Sequence, residues 1–214
     1  MKVLVTGGAG YIGSHVVLDL VGAGHNVVIF DDMSLGCVEN IHKEAEFIEG
    51  STLDERMLDE VLAKNIDAVV HLAAFKAAGE SMVDPGKYSR NNLNGTTNLL
   101  NAMIKHDVKT FVFSSTAAVY GYPEYLTVDE AHPLKPINYY GFTKLVIEQK
   151  LEWYRQLKGL KYAALRYFNA AGYDVEGRIH GLEKSPQNLL PIVMEVAKGE
   201  RSSMDVFGDD YDTK

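Results

Sequence analysis

Val3-Leu4-Val5-Thr6-Gly7-Gly8-Ala9-Gly10-Tyr11-Ile12-Gly13 decides the fold of this chain. An apolar run that ends in glycines spaced by three and passes into a helical pattern is a strand, a tight turn and a helix in succession. Gly7, Gly10 and Gly13 let the chain turn sharply, bring backbone N–H groups close to an anion and pack helix against strand. They are read as the cradle for the pyrophosphate of a dinucleotide. A ligand-free glycine-rich turn is the lesser alternative, because a strand precedes it and a helix follows.

Outward from this turn, apolar runs alternate with helical patterns. Strands are expected at Lys2–Thr6, Val27–Phe30, Phe47–Glu49, Ala68–His71, Thr110–Phe113 and Tyr162–Arg166. Helices are expected at Tyr11–Ala23, Asp54–Lys64, Asp84–His106 and Tyr140–Leu157. Such alternation predicts an α/β fold, a Rossmann-type doubly wound parallel sheet of order 3-2-1-4-5-6 with right-handed crossovers. Residues 1–170 are read as the dinucleotide-binding domain, and 171–214 as the start of a smaller C-terminal substrate domain. There Leu189–Lys198 reads as a helix and Met204–Phe207 as a short strand. The polar ending Gly208 to Lys214 closes no element and reads as a cut end, with a disordered natural terminus as the alternative.

The 214 residues are 46% hydrophobic, enough for a substantial core. A net charge of −8 without a basic cluster argues against nucleic acid as a partner. One cysteine, Cys37, leaves no internal disulfide and fits a reducing compartment. No zinc spacing appears, so no metal is expected. Neither a leader pattern nor a run of transmembrane length is present, so the reading is a cytoplasmic protein with no membrane partner.

Asp31 closes the second strand, where an acidic residue bonds the adenosine ribose hydroxyls. Asp32 follows, and two carboxylates with no arginine nearby in sequence favour NAD over NADP. Ser51 and Thr52, in the loop after the third strand, are placed beside adenine. Leu72, Ala73 and Ala74 are small enough to admit the cofactor closely, and Lys76 is given a pyrophosphate or hydroxyl contact. His71 reads as a hydrogen-bonded strand-end residue rather than a base. Among Asn91, Asn92 and Asn94, which a helix interior disfavours, Asn92 is assigned to the cofactor and the others to structure.

Tyr140-Gly-Phe-Thr-Lys144 follows the turn-forming stretch Pro133 to Asn138, and Ser114, Ser115 and Thr116 end an earlier strand. Free tyrosine has a pKa near 10, and Lys144 one helical turn on and the positive nicotinamide would both favour its phenolate. Tyr140 could then take a proton from a sugar or alcohol hydroxyl while hydride leaves the same carbon for a nicotinamide. Thr116 could bridge substrate oxygen and phenol, or simply bond its own backbone. Among 12 tyrosines a chance Tyr-x-x-x-Lys is expected. Tyr154-Arg-Gln-Leu-Lys158 is read as that decoy, lying roughly 20 Å further along the same helix.

Gly7 to Gly13, Lys76-Ala-Ala-Gly-Glu-Ser81, Asn91-Asn-Leu-Asn-Gly-Thr96, Ser114-Ser-Thr-Ala-Ala-Val-Tyr-Gly121, Tyr140-x-x-x-Lys144 and Arg166-Tyr-Phe-Asn169 together resemble the extended short-chain dehydrogenase/reductases, and within them the UDP-glucose 4-epimerases. The resemblance covers essentially the whole chain. It implies NAD as cofactor, UDP-galactose/UDP-glucose as substrates, and a place in galactose metabolism. It makes Tyr140 the base, Lys144 its activator and nicotinamide-ribose anchor, and Thr116 the hydroxyl relay. Tyr11, Ile12, Asp31, Lys76, Asn92 and Phe168 would contact NAD, while Asn169, Asn188, Leu189 and Phe207 would begin the UDP-sugar site. It also implies a homodimer through helices 84–106 and 140–157.

Two local features refine the resemblance. Sugar-nucleotide 4,6-dehydratases follow the threonine with Asp-Glu, and decarboxylases of the group carry a Glu there. Here Ala117-Ala118 cannot do proton chemistry, which leaves oxidation and return, that is, epimerisation. The family usually has Asp where Ser51 stands. Its members also continue beyond the point matching Lys214, with cationic groups for the UDP diphosphate. Residues 1–214 are therefore expected to bind NAD with little epimerase activity of their own. The alternatives are another NAD-dependent sugar-nucleotide epimerase/dehydratase, or a catalytically silent NAD-binding module.

Overall fold

The computed structural model describes residues 1–181, 186, 188–206 and 208. The chain forms two compact units, Met1–Glu183 and Lys184–Lys214. In the first, β1 (Lys2–Thr6), β2 (Asn26–Asp31), β3 (Glu46–Glu49), β4 (Ala68–His71), β5 (Thr110–Thr116) and β6 (Lys161–Tyr167) make one sheet of order β3-β2-β1-β4-β5-β6. All five pairings are parallel. This is the doubly wound arrangement expected from the alternating pattern. Its consequence is that every strand ends at the same edge, with the topological switch point between β1 and β4.

Helices cover both faces. On one, α1 (Tyr11–Gly22) packs Val17 against Val3, Val5, Val27 and Ile29. On the other, α2 (Glu55–Leu62), α5 (Gly95–Lys105) and α6 (Tyr139–Lys158) bury Leu58, Leu62, Leu99, Leu100, Met103, Ile147 and Leu151 against Leu4, Val28, Phe111 and Phe113. Central strands buried on both faces need continuous apolar runs, and Val3-Leu-Val and Asn26-Val-Val-Ile-Phe supply them.

The expected helix over 84–106 is instead three pieces: α4 (Pro85–Tyr88), a π-helical stretch Ser89–Asn94, and α5. A π turn admits an extra residue and marks functional sites, and this one carries the asparagines. A further helix, α3 (Ala78–Val83), was not expected at all. In the second unit Leu189–Ala197 is helical (α7), with Asn188 at the N-cap position making no side-chain cap bond. The strand expected at Met204–Phe207 does not form over residues 204–206. A lone strand has no ladder partner to satisfy its backbone there. Phe207 and residues 209–214 lie outside the described residues. Among the described residues no helix is long and apolar enough to cross a membrane, and no group of His, Cys, Asp and Glu could hold a metal.

Candidate active site

The turn after β1 is built by backbone contact. Gly7 has φ +72°, a left-handed conformation, and a Cβ there would lie 2.7 Å from the Ala73 nitrogen. A Cβ on Gly13 would lie 2.0 Å from the Gly7 carbonyl oxygen, so only glycine lets α1 sit this close to β1. Gly10 caps α1 with bare backbone and no side-chain hydrogen bond, and the first turn carries no acidic residue. These first-turn N–H groups and the dipole behind them suit an anion such as a pyrophosphate.

Asp31 stands where the sequence expects it, at the end of β2 and 7% exposed. Its carboxylate accepts from Ala9 N at 3.0 Å and Met33 N at 3.0 Å, which ties the glycine turn to β2. Burial raises its pKa above the ordinary carboxylate range, opposed by the bonds from Met33 and Ala9. Asp32 is exposed and accepts from Ser34 N and Oγ. Ser51 and Asp32 share a cavity of about 470 Å³ with Phe75, Lys87, Arg90 and Asn91. No arginine adjoins the aspartates in sequence, yet the fold brings Arg90 to the same cavity.

The two asparagines sit differently. Asn92 is 1% exposed, donates to Phe75 O at 3.0 Å and accepts from Phe75 N at 3.0 Å. Its amide thereby holds the segment Leu72–Lys76 in place, while Asn91 lines the cavity and donates to Asn92 Oδ1. Both orientations follow from the π turn, which a pattern based on an α-helix cannot foresee. Thr52 is buried and its carbonyl accepts from Asn98. Tyr11 packs on His15 and Tyr173, and its hydroxyl donates to the Gly172 carbonyl.

His71 matches its reading as a bonded strand-end residue. Its ring nitrogens face Thr6 Oγ1 at 2.7 Å and Thr96 Oγ1 at 2.8 Å. Burial, reinforced by the Lys144 charge, lowers its pKa to about 3, so it stays neutral.

Thr116, Tyr140 and Lys144 converge at the ends of β5 and α6. Lys144 is 3% exposed and donates to Ser114 O at 2.8 Å, with Nζ 5.8 Å from the Tyr140 ring centre. Burial lowers its pKa to about 7. Thr116 Oγ1 accepts from Ala118 N at 3.2 Å, and its hydroxyl is near enough to the Tyr140 phenol to favour the ionised form. The chain's own groups hold that phenol above its ordinary pKa: burial dominates, and Thr116 offsets only part of it.

One element here carried no sequence signal. Glu148, a helical turn after Lys144, accepts from Arg166 at 2.7 and 3.1 Å and from the Ser115 hydroxyl. This paired fork locks α6 onto β5 and β6 beside Thr116. Only the register Ser115↔Arg166 brings the three together. Tyr154 lies apart from all this, its hydroxyl donating to Asn101 at 2.6 Å. Phe168 and Asn169 are exposed just beyond β6. Ile12 and Lys76 are half-buried at the start of α1 and beyond β4.

A model of the NAD dependent epimerase/dehydratase family matches residues 3–212. The chain belongs to that family. It is similar to a UDP-glucose 4-epimerase of Halalkalibacterium halodurans, 47% identical over 216 residues, covering 100% of this chain and 64% of the relative. A UDP-glucose 4-epimerase of Mus musculus is 44% identical, with 100% of this chain and 66% of the relative covered. Among solved structures, a UDP-glucose 4-epimerase from Brucella ovis in complex with NAD has a TM-score of 0.96 at 42% identity, covering 99% of this chain and 65% of that one. This chain thus spans about 64–66% of the length of these curated relatives.

Proposed function

We propose that the protein holds NAD along the strand ends and that, with the length its relatives have, it interconverts UDP-glucose and UDP-galactose by inverting sugar C4. The observation that carries this is the convergence of Thr116, Tyr140 and Lys144, next to Ala117-Ala118 where no second acid/base pair stands. In this reading Gly7, Gly10, Tyr11, Ile12 and Gly13 take the pyrophosphate, and Asp31 the adenosine ribose, with Asp32, Ser51 and Thr52 towards adenine. Leu72, Ala73, Ala74, Lys76 and Phe168 line the nicotinamide half. Asn91 stands with Asp32 and Ser51 in the cavity towards adenine, and Asn92 serves the nicotinamide half by holding Phe75. When bound, NAD supplies a two-electron acceptor that ends the cycle unchanged.

The chain's own part is proton management. The Tyr140 phenolate takes the C4 hydroxyl proton, the resulting phenol returns it, and Thr116 passes hydrogen bonds between sugar oxygen and phenol. Burial that raises the phenol's pKa makes a competent acid for the return. The forward step needs a compensating positive charge, from Lys144 and the cofactor ring. Asn169, Asn188, Leu189 and Phe207 are proposed for the UDP-sugar. Exposed Phe142, Trp153 and Leu157 form a stripe along α6, which supports pairing with a second copy through helices 84–106 and 140–157.

The test is twofold. Purified protein should release NAD on denaturation. Extended by the C-terminal third of a relative, it should convert UDP-galactose without added cofactor. Bound NAD with no conversion in that extended form would leave only a binding module.

A further inference from the structure

The first N–H groups of any helix lack partners within it, and those of α6 are satisfied in an unusual way. Gly141 N donates to Asn138 Oδ1 at 2.8 Å, a local cap. The N–H of Tyr140 instead donates to Ser81 Oγ at 3.0 Å, and that of Tyr139 to Met82 Sδ at 3.3 Å, both on α3. Ser81 is fully buried, and its own hydroxyl proton goes to Ala78 O at 2.6 Å, which aims a lone pair at Tyr140. From the other side, a Cβ on Gly141 would lie 2.6 Å from Ala118 O, so the backbone beside Tyr140 also abuts the turn after Thr116.

We propose that Ser81 is a positioning residue for the Tyr140 phenol. Its hydroxyl pins the Tyr140 backbone between α3 and the turn after β5, which keeps the phenol on Thr116. Because α3 follows directly from the Lys76 segment, Ser81 also links that segment to the proton-transfer corner. The inference rests on the reading of Tyr140 as the base. An ordinary cap would add stability and leave the phenol's environment alone; a positioning residue changes that environment.

The decisive measurement is the titration of the Tyr140 ring by carbon NMR of tyrosine-labelled protein, its signal assigned with Tyr140→Phe. Ser81→Ala should let the phenol slip from Thr116 and raise its midpoint by at least about half a pH unit, since the lost bond favours the ionised form. Ser81→Thr, which keeps the acceptor, should restore the midpoint, and Tyr154 should not move in either. Ser81→Cys keeps the shape with a weaker acceptor and should shift the same way by less, which serves if the alanine variant fails to fold. A midpoint unmoved in folded Ser81→Ala or Ser81→Cys overturns the proposal, as does a shift that threonine does not reverse. The base assignment fails by a different result, turnover surviving in Tyr140→Phe, and that result leaves this titration untouched.

Discussion

At the end of β1 the contacts are made by backbone atoms of the glycine turn. Gly13 meets the Gly7 carbonyl, and Ala9 meets the carboxylate of Asp31 on the adjacent strand. At the end of β5 the contacts run between side chains far apart in the chain. Ser115 meets Glu148, Glu148 meets Arg166, and Tyr140 leans on Ser81 through its amide. The first region grips by shape, and its specificity lies in what is missing, namely Cβ atoms. The second works by placing titratable groups, and depends on how two strands and two helices assemble. One should therefore be sensitive to added atoms and the other to removed polar ones.

The largest expected effect falls on the second region. In the extended polypeptide, Tyr140→Phe should lower UDP-galactose conversion by roughly 10²–10⁴-fold, the range of general acid–base catalysis. Tyr154→Phe, at the same spacing to a lysine but bonded to Asn101, should leave the rate unchanged. Equal losses at both would erase the distinction between corner and decoy.

At the first region, Asp31→Ala removes a buried carboxylate that can still accept from a ribose. A bond to a charged group contributes about 1.5–3 kcal/mol, so calorimetry should show NAD binding weakened by roughly 10–100-fold. Discrimination against NADP should relax, the more so because Arg90 lines the cavity shared with Asp32. Unchanged affinity for both cofactors would refute the ribose assignment.

Shape can be probed separately. Gly13→Ala forces a Cβ against backbone and should cost about 1–3 kcal/mol, a fall in Tm of a few degrees for each kcal/mol in a domain of this size. Gly22→Ala, where nothing lies within 4 Å of the added Cβ, should be neutral or stabilising. If both behave alike, the glycine turn is not held by close contact.

The smallest effect is a pH slope. His71 takes its proton at about 3 in the folded protein, against an ordinary value of 6.5. Below 6.5 the unfolded chain binds the proton and the folded one does not, so stability falls as pH drops from there towards 3. Urea unfolding of His71→Gln at pH 7 and pH 5 should show a shallower loss than the unsubstituted protein. An identical slope would mean that His71 does not contribute.

Sheet order, the glycine turn, Asp31 and the Tyr140–Lys144 spacing were legible because each is a short-range pattern with one structural solution. Periodicity placed β1 and β4 to the residue, and Asn138 to Tyr140 announced the start of α6. The sites that eluded pattern reading share a cause. Asn91 faces the cavity while Asn92 bonds Phe75 because a π turn shifts the phase of the helix, and composition does not encode phase. Ser81 and Glu148 look like surface polar residues until α6 closes over the first and β6 over the second.

By itself the sequence determined the six strands of the sheet and the helices α1, α2 and α6, that the sheet is parallel, and that a dinucleotide turn precedes a Tyr-x-x-x-Lys helix. Those properties depend on side-chain size and on periods of two and 3.6, which act over a few residues. Tertiary structure alone decided the electrostatics of the corner: Lys144 bonded to Ser114 and held near pKa 7, Tyr140 pushed up by burial, and Arg90 brought to the cavity of Asp32. Desolvation and long-range hydrogen bonds depend on what packs around a group, and that surrounding exists only once the strands have paired.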